Sequence, residues 1–239
     1  MRVILYPLFL LTAALLGAAN VALAAQSTVL FQQVRVFDGQ QQRLSEAVDV
    51  LVRDNRIERI SSTPITLTET DNAQIIAGKG RTLMPGLIDA HWHAMLASLP
   101  MQALLVADIG YINLVAGQQA EQTLMRGFTS VRDLSGPVFG LKRAIDDGIV
   151  KGPRIWPSGA MISQTGGHGD FRFPYEVPAA NNSGLSRGEA TNAGVIADGV
   201  AEVRKRVREQ LMLGATQIKL AAGGGVSSTY DPIDVAQYS

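Results

Sequence analysis

The sequence predicts an α/β fold in two parts: a small β module over residues 28–84, then strands and helices in alternation over residues 85–239. Two observations predict it. Short runs rich in Val, Ile and Phe, cut by turn signals such as Asp38-Gly39 and Asp54-Asn55, fill the first part. From Pro85 onward, short apolar runs alternate with segments of helical period. Such repeated units imply parallel strands with right-handed crossovers, and chemistry in these folds gathers at the C-terminal strand ends.

The elements follow in order. Arg2 is the only charge before a run of apolar residues from Val3 to Leu16, and small residues then lead to Ala22-Leu23-Ala24. This pattern predicts a secretory signal peptide over residues 1–24, hence export to a periplasmic or extracellular space and no stable membrane partner after cleavage. A retained anchor is the alternative. In the β module, strands are expected at 29–31 and 34–37 around a polar pair, at 48–52 and 56–60 as a hairpin, and at 73–76 and 81–84. In the second part, a strand at 86–91 is followed by a helical region from about 100 to 126. A strand at 128–133, a helix at 139–147 and a strand at 154–160 come next. A long polar loop then spans about 163–186, and a helix at 197–213 carries Val200, Val203, Val207 and Leu211 on one stripe. A strand at 215–220 precedes Gly223-Gly224-Gly225.

The net charge is zero, so nucleic acid and anionic membrane surfaces are not expected partners. There is no cysteine, which excludes disulfides, a thiol nucleophile and thiolate metal ligands. A metal site must be built from His, Asp, Glu or Lys.

His91 and His93, two of three histidines, stand where the first strand of the second part runs out. Strand alternation puts Asp89, His91 and His93 on one face and Ala90 and Trp92 on the other. Two imidazoles so spaced can share one divalent ion; a pair of ordinary polar residues at a strand end is the alternative. Lys219 lies inside the apolar run Gln217-Ile218-Lys219-Leu220-Ala221, where burial disfavours the ammonium. A neutral amine there can react with carbon dioxide to give a carbamate that bridges two metals; a lysine paired with an acid is the alternative. Asp133 ends the second strand and is expected to support the ligands, as is Asp89. His168, in Gly166-Gly167-His168-Gly169, is a candidate substrate contact. The three glycines at 223–225 suggest close backbone approach beside a site rather than a phosphate loop.

The block Leu83-Met84-Pro85-Gly86-Leu87-Ile88-Asp89-Ala90-His91-Trp92-His93 resembles the signature of the metal-dependent amidohydrolase superfamily. The segments around Asp133, His168 and Lys219 resemble its branch of imidazolonepropionase-like enzymes, Xaa-Pro dipeptidases and ochratoxin-hydrolysing amidases. The resemblance implies the first half of a (β/α)8 barrel of the TIM type, strands 1–4, preceded by part of a composite β-sandwich. It implies two Zn2+ ions held by His91, His93 and a carboxylated, bridging Lys219, and hydrolysis of an amide in a small molecule or dipeptide. Tyr230, in the loop after Lys219, becomes a candidate for the carbonyl oxygen or oxyanion, or else a loop anchor. Such enzymes also need two later histidines and an aspartate, which have no counterpart here. A full barrel takes roughly 250 residues, whereas 155 run from Pro85 to Ser239. The expectation is therefore an N-terminal fragment of a longer enzyme, inactive alone, with open sheet edges and exposed apolar surface. A single-metal cyclic-amide hydrolase or deaminase, and a non-catalytic binding module, are the rival readings. Assembly with further copies stays open.

Overall fold

Asp49 explains how the β module begins. A computed structural model describes residues 27–177 and 184–238 of the chain, so the expected signal peptide lies outside the described residues. The chain divides into two units after Pro85. In the first unit, the two short strands expected at 29–31 and 34–37 are one strand, β1 (Thr28–Val36), antiparallel to β2 (Ala47–Arg53) and broken in register between Phe31 and Val34. Gln33 takes a positive φ of 53° at this bulge, and its N–H donates to the buried Asp49 carboxylate at 3.0 Å. Asp49 also accepts from Ile65 N–H at 3.1 Å, so one side chain satisfies two backbone donors that the bulge and a loop leave unpaired. The hairpin partner is β3 (Arg56–Ser61); β4 (Gln74–Ala77) and β5 (Thr82–Leu83) run parallel to β1. Leu30, Leu51 and Ile65 form its core.

The second unit holds a three-stranded parallel sheet in the order β6 (Leu87–Trp92), β7 (Phe128–Asp133), β8 (Arg154–Pro157). Helices separate these strands, as the alternation predicts. The region from 100 to 126 is two helices, α1 (Met101–Val106) and α2 (Ile109–Met125), because the Asp108 carboxylate caps a fresh start by accepting from Gly110 and Tyr111 N–H. Ile112, Ala116 and Ala120 of α2 pack with Val131 of β7, Ile155 of β8 and Leu141 of α3 (Phe139–Asp146). Trp92 packs on the same core.

Three expectations are corrected here. The strand expected at 154–160 stops at Pro157 and resumes as β9 (Met161–Ser163), since Gly159 turns the chain at φ 68°. The strand expected at 215–220 is reduced to one parallel bridge, Leu220 to Ile162; the broken partner cannot offer it a continuous ladder. Its backbone nonetheless follows the sheet, with Thr216 N–H donating to Pro157 O at 2.9 Å and Ile162 N–H to Lys219 O at 2.9 Å. The last helix, α5 (Val200–Met212), buries Val203 and Val207 against Ile162 and Val195, whereas Val200 and Leu211 stand in solvent. Gln210 takes the inner place instead. Its side-chain oxygen accepts from Ala160 N–H at 2.9 Å and its amide pairs with Asn192. Between β9 and α5 lie two unexpected elements, α4 (Arg187–Ala190) and β10 (Gly194–Ile196), the latter parallel to β9. Apolar strand residues remain outside: Ile88 is 69% exposed, and Trp156 and Leu220 are exposed too.

Candidate active site

The sheet ends bring His91, His93, His168 and Lys219 to the walls of one open cleft with a volume of about 320 Å³. The two imidazoles of the strand end are 5.0 Å apart and tilted by 60°, facing the same space. Simple alternation does not produce this geometry. Opposite β7, three steps from Asp89 to Trp92 match only two from Val131 to Asp133, so β6 bulges at Ala90-His91. Such a bulge next to a site re-aims side chains. Asp89 supports it, its carboxylate accepting from His91 N–H at 2.9 Å. Trp92 then turns into the core and anchors the strand between the two histidines.

His93 is held neutral. Burial lowers its pKa, and repulsion from His91 and Lys219 adds to that. Its Nδ1 is buried without a hydrogen-bond partner. A buried imidazole nitrogen left without a partner is one that a bound ion could satisfy. Lys219 is half-buried, and burial lowers its pKa as well. No cluster of three or more His, Asp or Glu side chains suited to a metal is found among the described residues. The donors that meet here are two imidazoles and an amine, so the set fits a shared ion only when the amine joins it as an anion.

Asp133 lies outside the cleft lining and below it. It is fully buried and one oxygen accepts from Ala94 N–H at 2.6 Å, immediately after His93. Its other oxygen has no partner. Burial pushes its pKa up to about 7, against the lowering by the Ala94 bond. Its place is therefore structural, holding the backbone just after His93.

His168 sits on a loop that the composition made look flexible and that is cross-braced. Gly169 N–H donates to Ser163 Oγ at 3.0 Å, Gly166 N–H to Asp170 Oδ2 at 2.8 Å, and Thr165 N–H to Asp198 at 2.9 Å. The loop after Lys219 closes on the ring. A Cβ on Gly225 would lie 2.2 Å from His168 Cε1, and one on Gly224 would lie 1.8 Å from Pro232 O. These glycines thus permit close approach, the milder of the readings open to them. Tyr230 does not line this cleft. It borders the adjoining hollow, and its hydroxyl donates to Arg172 O at 2.7 Å. Leu96, Ala97, Met101, Met161, Phe171 and Ser227 complete the cleft, and no motif in the sequence marks them.

Known proteins resemble this chain in sequence and fold. Residues 82–239 match the model of the amidohydrolase family. Ochratoxinase of Aspergillus niger is 39% identical over 175 residues, 66% of this chain and 34% of that protein. A solved amidohydrolase superimposes with a TM-score of 0.76 at 38% identity, covering 89% of this chain and 51% of the other. A prolidase complexed with N-methylphosphonate-L-proline does so with a TM-score of 0.76 at 37% identity, again covering 89% and 51%. The chain thus spans about a third of the curated relative and half of the solved ones.

Proposed function

Because the chain belongs to the amidohydrolase family, we propose that it supplies the first half of a (β/α)8 barrel, strands 1–4, to a hydrolase of carbon–nitrogen bonds. The substrate is a small amide of dipeptide or N-acyl amino acid type. The parallel order β6-β7-β8 with intervening helices supports the barrel, and the prolidase and ochratoxinase likenesses support the bond type. The observation that carries the reading is the meeting of His91, His93 and Lys219 on one cleft.

His91 and His93 would hold one divalent ion, and Lys219 as a carbamate would bridge it to a second. Zinc is the choice for such nitrogen and oxygen donors. The ions would supply an acidified water and a polarised substrate carbonyl. For the bridge, the neutral Lys219 amine would add to the carbon of carbon dioxide: the nitrogen–carbon bond forms as one carbon–oxygen π bond opens to a carboxylate oxygen, and one proton passes from the nitrogen to solvent. The lowered pKa of Lys219 favours that neutral amine. His93 stays neutral and offers its lone pair. Asp89 and Asp133 hold the backbone at His91 and Ala94, which fixes where both rings point. His168 would take a substrate carboxylate. Tyr230 would reach the carbonyl oxygen by giving up its bond to Arg172 O.

Further donors and a general base are part of this proposal, so activity is assigned to a protein carrying a complete barrel. Metal analysis and hydrolysis of an N-acyl amino acid by such a protein test it. Two metals per chain and turnover are expected; metal-free protein with full turnover overturns it. Export through residues 1–24 belongs to the same proposal, and sequencing the mature N-terminus checks it, with a start after Ala24 expected.

A further inference from the structure

The cleft continues past His168. On the far side of that ring a hollow of about 300 Å³ opens, walled by Met101, Leu105, Phe171, Phe173 and Pro174. Met101, His168, Phe171 and Ser227 border both spaces, so a molecule seated at the histidine pair can extend into the hollow. Part of the polar rim is already occupied. The Arg172 guanidinium is bound to Asp170, with Nε to Oδ1 at 2.8 Å, and Ser228 Oγ donates to Gly225 O at 2.7 Å. Its walls offer a ligand mainly apolar and aromatic surface, which rewards apolar burial.

The walls are also held in place. Phe171 is packed against Gly188 and Gly194, where an added Cβ would come within 3.2 Å and 2.9 Å of it. Phe173 stacks on Tyr175 with ring centroids 5.3 Å apart. A preformed apolar wall binds without first being ordered. A dry cavity of about 150 Å³ accommodates benzene, so this one has room for a ring and its linker.

We propose that this hollow is the specificity pocket of the site and takes a ring-bearing or large aliphatic group attached to the substrate amide. The inference rests on the amide-hydrolase reading for what lies at the histidine pair. Binding of N-acetyl-phenylalanine amide and N-acetyl-alanine amide to the intact chain, measured by titration calorimetry, tests it. The phenylalanine probe is expected to bind at least about ten-fold more tightly, in keeping with burial of one aromatic side chain. Gln102 borders the hollow from the exposed face of α1, where a larger side chain does not disturb the core. Gln102→Trp is expected to fill the space and bring the ratio to near one. Equal affinities in the parent chain, an unchanged ratio in the variant, or equal loss of both probes overturns the proposal. Hydrolysis of the same probes by a barrel-complete protein is read separately: preference without turnover rejects the hydrolase reading and leaves the pocket standing.

Discussion

His91 and His93 enter the cleft from a strand laddered to its neighbour, whereas Lys219 enters from a segment joined to the sheet by one bridge. The first is aimed by backbone pairing, a bulge and the Asp89 carboxylate. The second is held by backbone bonds of Lys219 and Ala221 to Ile162 and by a side chain beside it. Gln217, two residues before Lys219, donates to Trp156 O at 2.8 Å and accepts from Arg132 Nε at 2.6 Å. Two donors facing one space are therefore fixed by different means, a bulged ladder for one and a single bridge with a side-chain brace for the other. A strand end tolerates little movement.

Removing Lys219 gives the largest expected effect. In a barrel-complete protein, Lys219→Ala should abolish hydrolysis and lower the metal content from two ions per chain, well beyond the roughly 10–100-fold cost of changes outside the ligand shell. Elemental analysis beside kinetics reads it, and unchanged metal and rate would refute the bridge. Asp133 sharpens the other side of the comparison. Its pKa in the fold is about 7 against an ordinary 3.8, so the folded chain binds the extra proton between those values. Its contribution is fully present below pH 4 and is lost as pH rises through 7, by about 4 kcal/mol at most. Urea midpoints of the metal-free chain should fall across that window, and Asp133→Asn, which keeps an acceptor for Ala94 N–H, should flatten the dependence. Next comes Gly225→Ala, whose Cβ would collide with the His168 ring. Overpacking of this kind costs about 1–3 kcal/mol, and the His168 resonances should shift while those of His91 hold still. Gln217→Ala should cost about 1 kcal/mol. Its signature is displacement of Lys219 with His93 unmoved, visible in a crystal structure of the variant.

The histidine pair was readable because its signal is local. A proline–glycine break, an apolar lead-in and two imidazoles two residues apart need no distant partner to be recognised. The hairpin β2-β3 and helix α3 were readable for the same reason: their periods and turn residues lie within a dozen positions. The stripe on α5 was misread at its two ends. Helical period marks a face, but it does not say how far the neighbouring sheet extends beneath that face, and Gln210 was passed over as polar although it fills a buried place. The break at Gly159 escaped because an apolar run looks like one strand until its partner's hydrogen bonds are traced. The cross-bracing of the His168 loop escaped in part for a similar reason, since its acceptors are Ser163, Asp170 and Asp198, the last of them more than thirty residues from Thr165.

By itself the sequence determined the class of fold, the order of most strands and helices, and the residue types able to hold an ion: two histidines and a lysine in a chain without cysteine. Periodicity and side-chain chemistry are properties of neighbouring residues, and they survive without a third dimension. Tertiary structure alone decided that those three side chains and His168 border one cleft, that Asp133 lies buried behind it with an unpaired oxygen, and that an apolar hollow continues beyond. These are consequences of which strand ends meet and which backbone donors go unsatisfied. They depend on pairings between residues tens of positions apart, which no local pattern encodes.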